Sequence, residues 1–225
     1  MTRGPEPTLI HRVIARLNVG GPSMHVVNLA ASMDAGPWRS RLVTGAVPDT
    51  EGDMEYYAED RGVTVVRVAD MSREVSLASD LRALWALVRL FRRERPSVVH
   101  THTAKAGTLG RLAALLAGVP VRIHTFHGHV LGGEYFPPLR PRLFLEIERQ
   151  LARATNRLVV LTRRQAVEMA DGLRVAPRDR FAVVPLGLDM ARFRAVDPLA
   201  ARSAARAALG LTDDQRVVGI VGRLV

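Results

Sequence analysis

Short β-branched runs recur along the chain and are separated by stretches with helical spacing. Residues 8–17 (TLIHRVIARL), 41–46, 63–68 (VTVVRV), 97–100, 121–126, 157–161 (RLVVL), 181–184 and 216–221 read as strands. The intervening stretches 23–33, 52–61, 77–95, 106–117, 140–154, 162–172 and 199–209 read as helices. Ser23 and Thr162 are the expected N-caps of two of them, and Gly118 with Pro120 stops a third. In the helix over 77–95, Leu81, Leu84, Trp85, Val88 and Phe91 share one apolar face, and Arg82, Arg89, Arg92 and Arg93 occupy the others. A strand followed by a helix, repeated about six times, predicts an α/β fold with a doubly wound parallel sheet. Ligands of such sheets bind beyond the carboxyl ends of the strands.

The pattern also sets the domain expectations. Residues 8–184 form one α/β domain, 185–198 (opening PLGLD) a linker, and 199–225 the beginning of a second domain. The buried run at 216–221 stands apart from the strands that would pair with it, so that second domain is expected to be incomplete. No run of about 18 apolar residues is present, so no membrane-spanning helix is expected. The first residues lack the apolar core of a secretory signal. With no cysteine in the chain, disulfides and thiolate metal sites are excluded, which fits a cytoplasmic protein.

Charge changes the picture less than its size suggests. The net charge is +10, and one lysine stands among 32 basic residues, an arginine skew that genome composition explains. The functional readings are an anionic small-molecule substrate or an anionic membrane surface, the latter through the basic helices over 77–95 and 140–154. Nucleic acid is not expected: aromatic content is 5%, and no basic stripe is interleaved with stacking aromatics.

The candidate chemistry concentrates in residues 97–133, which hold five of the seven histidines and Lys105. His100 and His102 end one strand, and His124, His127 and His129 surround the end of the next. A metal site is one reading; hydrogen-bonding or proton-accepting groups at a ligand pocket are another, with structural histidines for the rest. His11 and His25 are expected to be structural. Earlier in the chain, Gly20-Gly21 follows the first strand and opens a helix. Adjacent glycines let a ligand approach the backbone, and the helix start favours a phosphate, although an ordinary strand–helix turn has the same look. No G-x-S-x-G elbow, phosphate-binding G-x-x-x-x-G-K loop or dinucleotide G-x-G-x-x-G is present.

With these residues laid out, the sequence resembles the N-terminal half of the GT-B glycosyltransferases, in particular bacterial polysaccharide-type members of the retaining GT4 family. The matching segments are RLNVGGPSMHVVNLA, VVHTHTAKAGTLGRLAA with IHTFHGHVLGG, RLVVLT, VVPLGLDMARF and VVGIVGRLV, in family order. The resemblance implies a Rossmann-like acceptor-side domain and transfer of a sugar from a nucleotide-sugar donor to a carbohydrate or polyprenyl-linked acceptor with retention. It requires no metal or other cofactor. It implies that Gly20 and Gly21 face the donor diphosphate, that Arg223 binds it, and that His127 contacts the donor sugar near its anomeric carbon as the residue closest to the chemistry. His102, Thr103 and Lys105 correspond to acceptor contacts. Pro22-Ser23 stands where many relatives have Ala-Glu, and Leu186 where the interdomain motif often has Asn. The family's E-x7-E pair is absent, so these residues alone are expected to show little activity. The alternatives are a non-catalytic acceptor-binding module that pairs with a separately encoded C-terminal domain, and a metal-dependent hydrolase using the histidines. The expected location is the cytoplasm, with peripheral contact at the inner face of the membrane.

Overall fold

The computed structural model describes residues 7–72, 76–128, 139–194 and 196–220. The chain divides into two compact units, Met1–Gly187 and Leu188–Val225. The first holds β1 (Thr8–Ile14), α1 (Gly21–Ser32), β2 (Trp38–Thr44), α2 (Glu55–Glu59), β3 (Val65–Arg67), α3 (Leu77–Glu94), β4 (Val98–His102), α4 (Ala104–Leu116), β5 (Val121–Phe126), α5 (Leu139–Arg153), β6 (Arg157–Val160), α6 (Arg163–Val167) and β7 (Phe181–Val183). All seven strands are parallel, in the order β3-β2-β1-β4-β5-β6-β7. The α/β fold class expected from the sequence is therefore the observed one.

This order reverses between β1 and β4. The chain winds outward from β1 to β3, then crosses over and winds outward again from β4 to β7. Two helices from different strands consequently leave a gap at the carboxyl end of the β1/β4 boundary. Each face of the sheet has its own core. Ile14 and Leu42 pack under Val26, Val27 and Ala30 of α1 and Ala58 of α2. Val13, Val43 and Val99 on the opposite face pack under Leu84, Leu87, Val88 and Phe91 of α3 and Ala106, Leu109 and Ala113 of α4. Farther toward β7, Phe126, Leu158 and Val160 form a third cluster with Ala152 of α5 and Met169.

A buried ion pair ties α4 to α5. Arg111 donates to both carboxylate oxygens of Glu148, at 2.6 and 2.7 Å, and to the Gly107 carbonyl at 2.7 Å. α4 lies close to the strands because it carries glycine where they approach: a Cβ at Gly107 would stand 2.5 Å from Cε1 of His124, and one at Gly110 would stand 2.7 Å from Cγ2 of Thr101.

Several expected element ends shift by one to three residues, with β1 ending at Ile14, β2 starting at Trp38 and α2 starting at Glu55, and three expectations differ in kind. α1 starts at Gly21 with Gly20 at the cap position, and Ser23 is buried in its first turn without capping anything. Pro22, which lacks an N–H, is what fits that first turn. Thr162 does cap α6, accepting from the Gln165 N–H at 3.1 Å. The helix then loosens into a π-helical turn, Glu168–Gly172. On α3 the buried arc is centred on Leu84, Leu87, Val88 and Phe91, and Leu81 and Trp85 are exposed. In the second unit, α7 (Ala191–Arg194) is followed by α8 (Pro198–Ala208), whose Asp197 cap accepts from the Leu199 N–H at 2.9 Å. The strand expected at 216–221 is not formed over the described residues 216–220: nothing described pairs with them as a strand, and Val218 and Ile220 are exposed. A strand needs a neighbour to satisfy its backbone groups. Among the described residues no helix is long and apolar enough to cross a membrane.

Candidate functional site

The carboxyl ends of β1, β4 and β5 carry a layer of polar side chains on the α1 face of the sheet. The parallel register builds it. Arg12 of β1 lies opposite His100 of β4, and His102 lies opposite Thr125 of β5. Side chains alternate across a strand, so these residues point to one face and His11, Thr101 and His124 to the other.

Arg12 is the unexpected member. It is 2% exposed and meets no carboxylate among the described residues. Its guanidinium is solvated by the Ser40 hydroxyl at 3.4 Å, Nδ1 of His100 at 3.0 Å and the Met33 sulfur at 2.9 Å. Burial pulls its pKa down to about 10, which still leaves it charged at neutral pH. An arginine only donates, so Nδ1 of His100 must accept. His100 therefore carries its proton on Nε2 and donates it to the Thr125 hydroxyl, 2.7 Å away.

His102 stacks on His100 with ring centres 4.2 Å apart. It is fully buried, and its Nδ1 stands 2.9 Å from Nε2 of His127. His25, one turn into α1, brings its ring edge-on to His127 at 5.3 Å. Burial holds His100 and His102 well below the ordinary imidazole range, with the charge of Arg12 a lesser cause. Burial likewise lowers His127 to about 4, and His25 shifts in the same direction. All four rings are neutral at pH 7.

The strand–helix turn after β1 stands beside this layer. It is clamped from below: the Val19 N–H donates to the Gly52 carbonyl at 3.0 Å, the Met54 N–H to the Leu17 carbonyl at 2.8 Å, and Arg16 pairs with Glu51 at 2.6 Å. Gly20 has extended φ and ψ, and a Cβ there would touch only Cδ of Pro22, at 3.8 Å; around Gly21 a Cβ would meet nothing within 4 Å. Neither backbone conformation nor internal packing asks for glycine here. The start of α1 carries no side-chain cap and no acidic residue in its first turn, so its free N–H groups remain available to an anion.

The other expected site residues spread out. Thr103 makes the β4–α4 turn with φ 67°, a strained conformation for a β-branched residue, and its hydroxyl is buried without a hydrogen bond among the described residues. Lys105 lies on the opposite side of the sheet and pairs with Asp80 of α3 at 2.6 Å. Arg223, His129 and Glu134 lie outside the described residues. His124 is separated from the cluster by strand alternation: its Nδ1 meets the Thr101 hydroxyl at 2.8 Å beneath α4. His11 is buried against Glu94 at 3.0 Å, whereas His25, grouped with it in the sequence reading, belongs to the cluster. Among the described residues no group of three or more potential ligands is placed to hold a metal ion.

Residues 20–187 match the family model described as glycosyl transferase 4-like domain. The chain belongs to that family. It is 32% identical over 173 residues to the UDP-Gal:alpha-D-GlcNAc-diphosphoundecaprenol alpha-1,3-galactosyltransferase of Escherichia coli, covering 77% of this chain and 43% of the relative. It is 29% identical over 220 residues to the D-inositol 3-phosphate glycosyltransferase of Streptomyces scabiei (strain 87.22), covering 92% of this chain and 48% of that one. The chain thus spans about half the length of the curated relatives it matches. Among solved structures, Anabaena Alr3699/HepE in complex with UDP and glucose superimposes with a TM-score of 0.66 at 18% identity, over 90% of this chain and 50% of that one. The sucrose-phosphate synthase of Thermosynechococcus elongatus gives 0.68 at 16% identity, over 92% and 53%. At such identities the structures establish the fold alone, and the fold agrees with the GT4 resemblance read from the sequence.

Proposed function

We propose that this family member works in sugar transfer from a nucleotide-sugar to a carbohydrate or lipid-linked acceptor, with retention of configuration, as in polysaccharide or cell-envelope glycan synthesis. The observation that carries the reading is the junction of an open Gly-Gly helix start with a neutral histidine cluster at the sheet's switch point, in a chain of glycosyltransferase family. Gly20 and Gly21 leave room for a diphosphate to reach the α1 amides. His127 stands one ring away from α1, through His25, where it can hydrogen-bond a sugar held by that diphosphate. Preorganised N–H groups at the start of α1 act where charge develops on the leaving diphosphate, and this reading asks no metal of the reaction.

The acceptor of the Escherichia coli relative is a diphosphoundecaprenol-linked sugar, and an acceptor of that kind brings the enzyme to a membrane. Leu77, Leu81 and Trp85 are exposed on α3 beside Arg82 and Arg89, and Leu143 is exposed on α5 beside Arg142. We read these as a peripheral contact with an anionic inner-membrane face, and the location as cytoplasmic. Cosedimentation with phosphatidylglycerol vesicles at low salt, and none with neutral vesicles, is the expected result.

The test of function is incorporation of labelled sugar from a panel of nucleotide-sugars, UDP-galactose first, into lipid-linked N-acetylglucosamine by membranes of cells making this chain joined to the C-terminal half of the Escherichia coli relative, because these residues alone are expected to show little activity. His127→Ala should cut incorporation about 100-fold if the contact is made in the transition state. Incorporation equal to that of cells lacking the protein would overturn the reading.

A further inference from the structure

We infer that His102 is a positioning residue which fixes the tautomer of His127, so that His127 presents an N–H to its ligand rather than a bare nitrogen. The part of this concerning the ligand rests on the reading above; the relation between the two histidines does not.

The geometry allows two arrangements. Nδ1 of His102 and Nε2 of His127 are 2.9 Å apart, and both rings are neutral, so one nitrogen donates and the other accepts. The far nitrogen of His102, Nε2, is buried and meets no hydrogen-bond partner among the described residues. If His127 donated, His102 would carry its proton on that Nε2, leaving an orphaned N–H in the interior. If His102 donates, the orphan is a bare lone pair. Orphaned buried N–H groups are rarer in folded proteins than under-satisfied acceptors, so the second arrangement is favoured. His102 then holds its proton on Nδ1, and Nε2 of His127 accepts it. The single proton of His127 is left on Nδ1, which meets no partner among the described residues.

The surroundings hold this arrangement in place. His102 is packed against His100, whose own tautomer is fixed by Arg12, so its ring cannot turn without disturbing that layer. His127 is flanked by His25 on the α1 side. No carboxylate contacts either member among the described residues, so nothing stabilises a protonated dyad. The chemical consequence is a division of roles. A side chain offering Nδ1–H can donate to a sugar hydroxyl or to a glycosidic or phosphate oxygen, and cannot take a proton from an acceptor hydroxyl. His102, which the resemblance associates with the acceptor, is fully buried and acts through His127.

Long-range proton–nitrogen NMR on the uniformly 15N-labelled chain at pH 7.5 reads the tautomer of each imidazole directly. His127→Gln assigns the His127 signals. The expected result is Nδ1–H for His127 and for His102. His102→Asn keeps an N–H near the position of Nδ1 and should preserve the Nδ1–H signature of His127; His102→Leu removes it and should abolish that signature. An Nε2–H form of His127 in the wild-type chain would overturn the inference, as would an unchanged Nδ1–H signature in His102→Leu. If His102→Leu fails to fold, the wild-type spectrum decides. No nucleotide-sugar enters this experiment, so it can succeed or fail independently of the transfer assay.

Discussion

Gly107→Ala pits two effects of known sign against each other. In an exposed helix the change would stabilise by about 1 kcal/mol, because alanine is the better helix former. Here the new Cβ would lie 2.5 Å from Cε1 of His124 and 3.0 Å from its Nδ1. Carbon atoms in contact prefer about 3.5–4.0 Å, so something has to move by about 1 Å. The imidazole is 1% exposed, held at Nδ1 by the Thr101 hydroxyl at 2.8 Å and packed edge-on to Phe126 at 4.5 Å. Swinging it away would give up a hydrogen bond worth about 1 kcal/mol. Shifting α4 instead would strain the Arg111–Glu148 pair and the Gly110 contact with Thr101. Overpacking of this kind costs about 1–3 kcal/mol. The net expectation is a loss of up to about 2 kcal/mol, or a fall in Tm of up to about 8 °C for a chain of this size. In a His124→Ser background the obstruction is gone, and the same change should stabilise by about 1 kcal/mol. Thermal and urea unfolding of the four proteins gives the coupling between the sites, expected at about 1–3 kcal/mol. A rise in Tm on Gly107→Ala in the wild-type background, or equal shifts in both backgrounds, would refute the reasoning.

Two further outcomes follow from buried charge. Glu148→Ala strands the buried Arg111 guanidinium and should cost about 3–5 kcal/mol in urea unfolding, while Glu148→Leu with Arg111→Met should recover most of that loss; equal stability of wild type and Glu148→Ala would sink this account. For pH, burial lowers His11, despite the Glu94 carboxylate beside it, and His127 to about 4 from the ordinary 6.5. Between these values the unfolded chain binds more protons, so stability falls as pH falls from about 6.5 toward 4. At pH 5.5 each group removes about 1.4 kcal/mol relative to pH 8, and the pair about 3 kcal/mol. His100, His102 and His124 act in the same direction. Calorimetry at the two pH values should show a Tm lower by at least about 6 °C at pH 5.5, and an unchanged Tm would contradict the burial of these rings.

The strand–helix alternation was legible in the sequence because its causes are local: β-branched runs such as 63–68, apolar stripes such as Leu84, Val88 and Phe91, and stops such as Gly118-Val119-Pro120. The sheet order was not, since nothing local says that β1 neighbours both β2 and β4. The site was half legible for the same reason. The clustering of histidines at 100–102 and 124–127 marked the right strand ends. The face each one occupies depends on parity, and it separates His124 from His127, which the sequence reading grouped together. His25 joins the cluster only because α1 folds back over β4, and Arg12 only because it falls in register with His100.

Arg12 also explains why so many histidines can share one small layer. A buried imidazole can be kept neutral by apolar walls alone, but then its two nitrogens need partners of opposite kind, and a row of histidines can pair in either direction. A permanent donor at one end removes that freedom for the ring it touches, and its positive charge makes a second buried cation unfavourable for the next. The layer is therefore neutral apart from one fixed charge, and the needs it turns toward a ligand are those of the α1 start and the outer nitrogen of His127. A ligand that brings anionic oxygens to the first and a hydrogen-bond acceptor to the second meets both, and a diphosphate joined to a sugar carries these groups in one molecule.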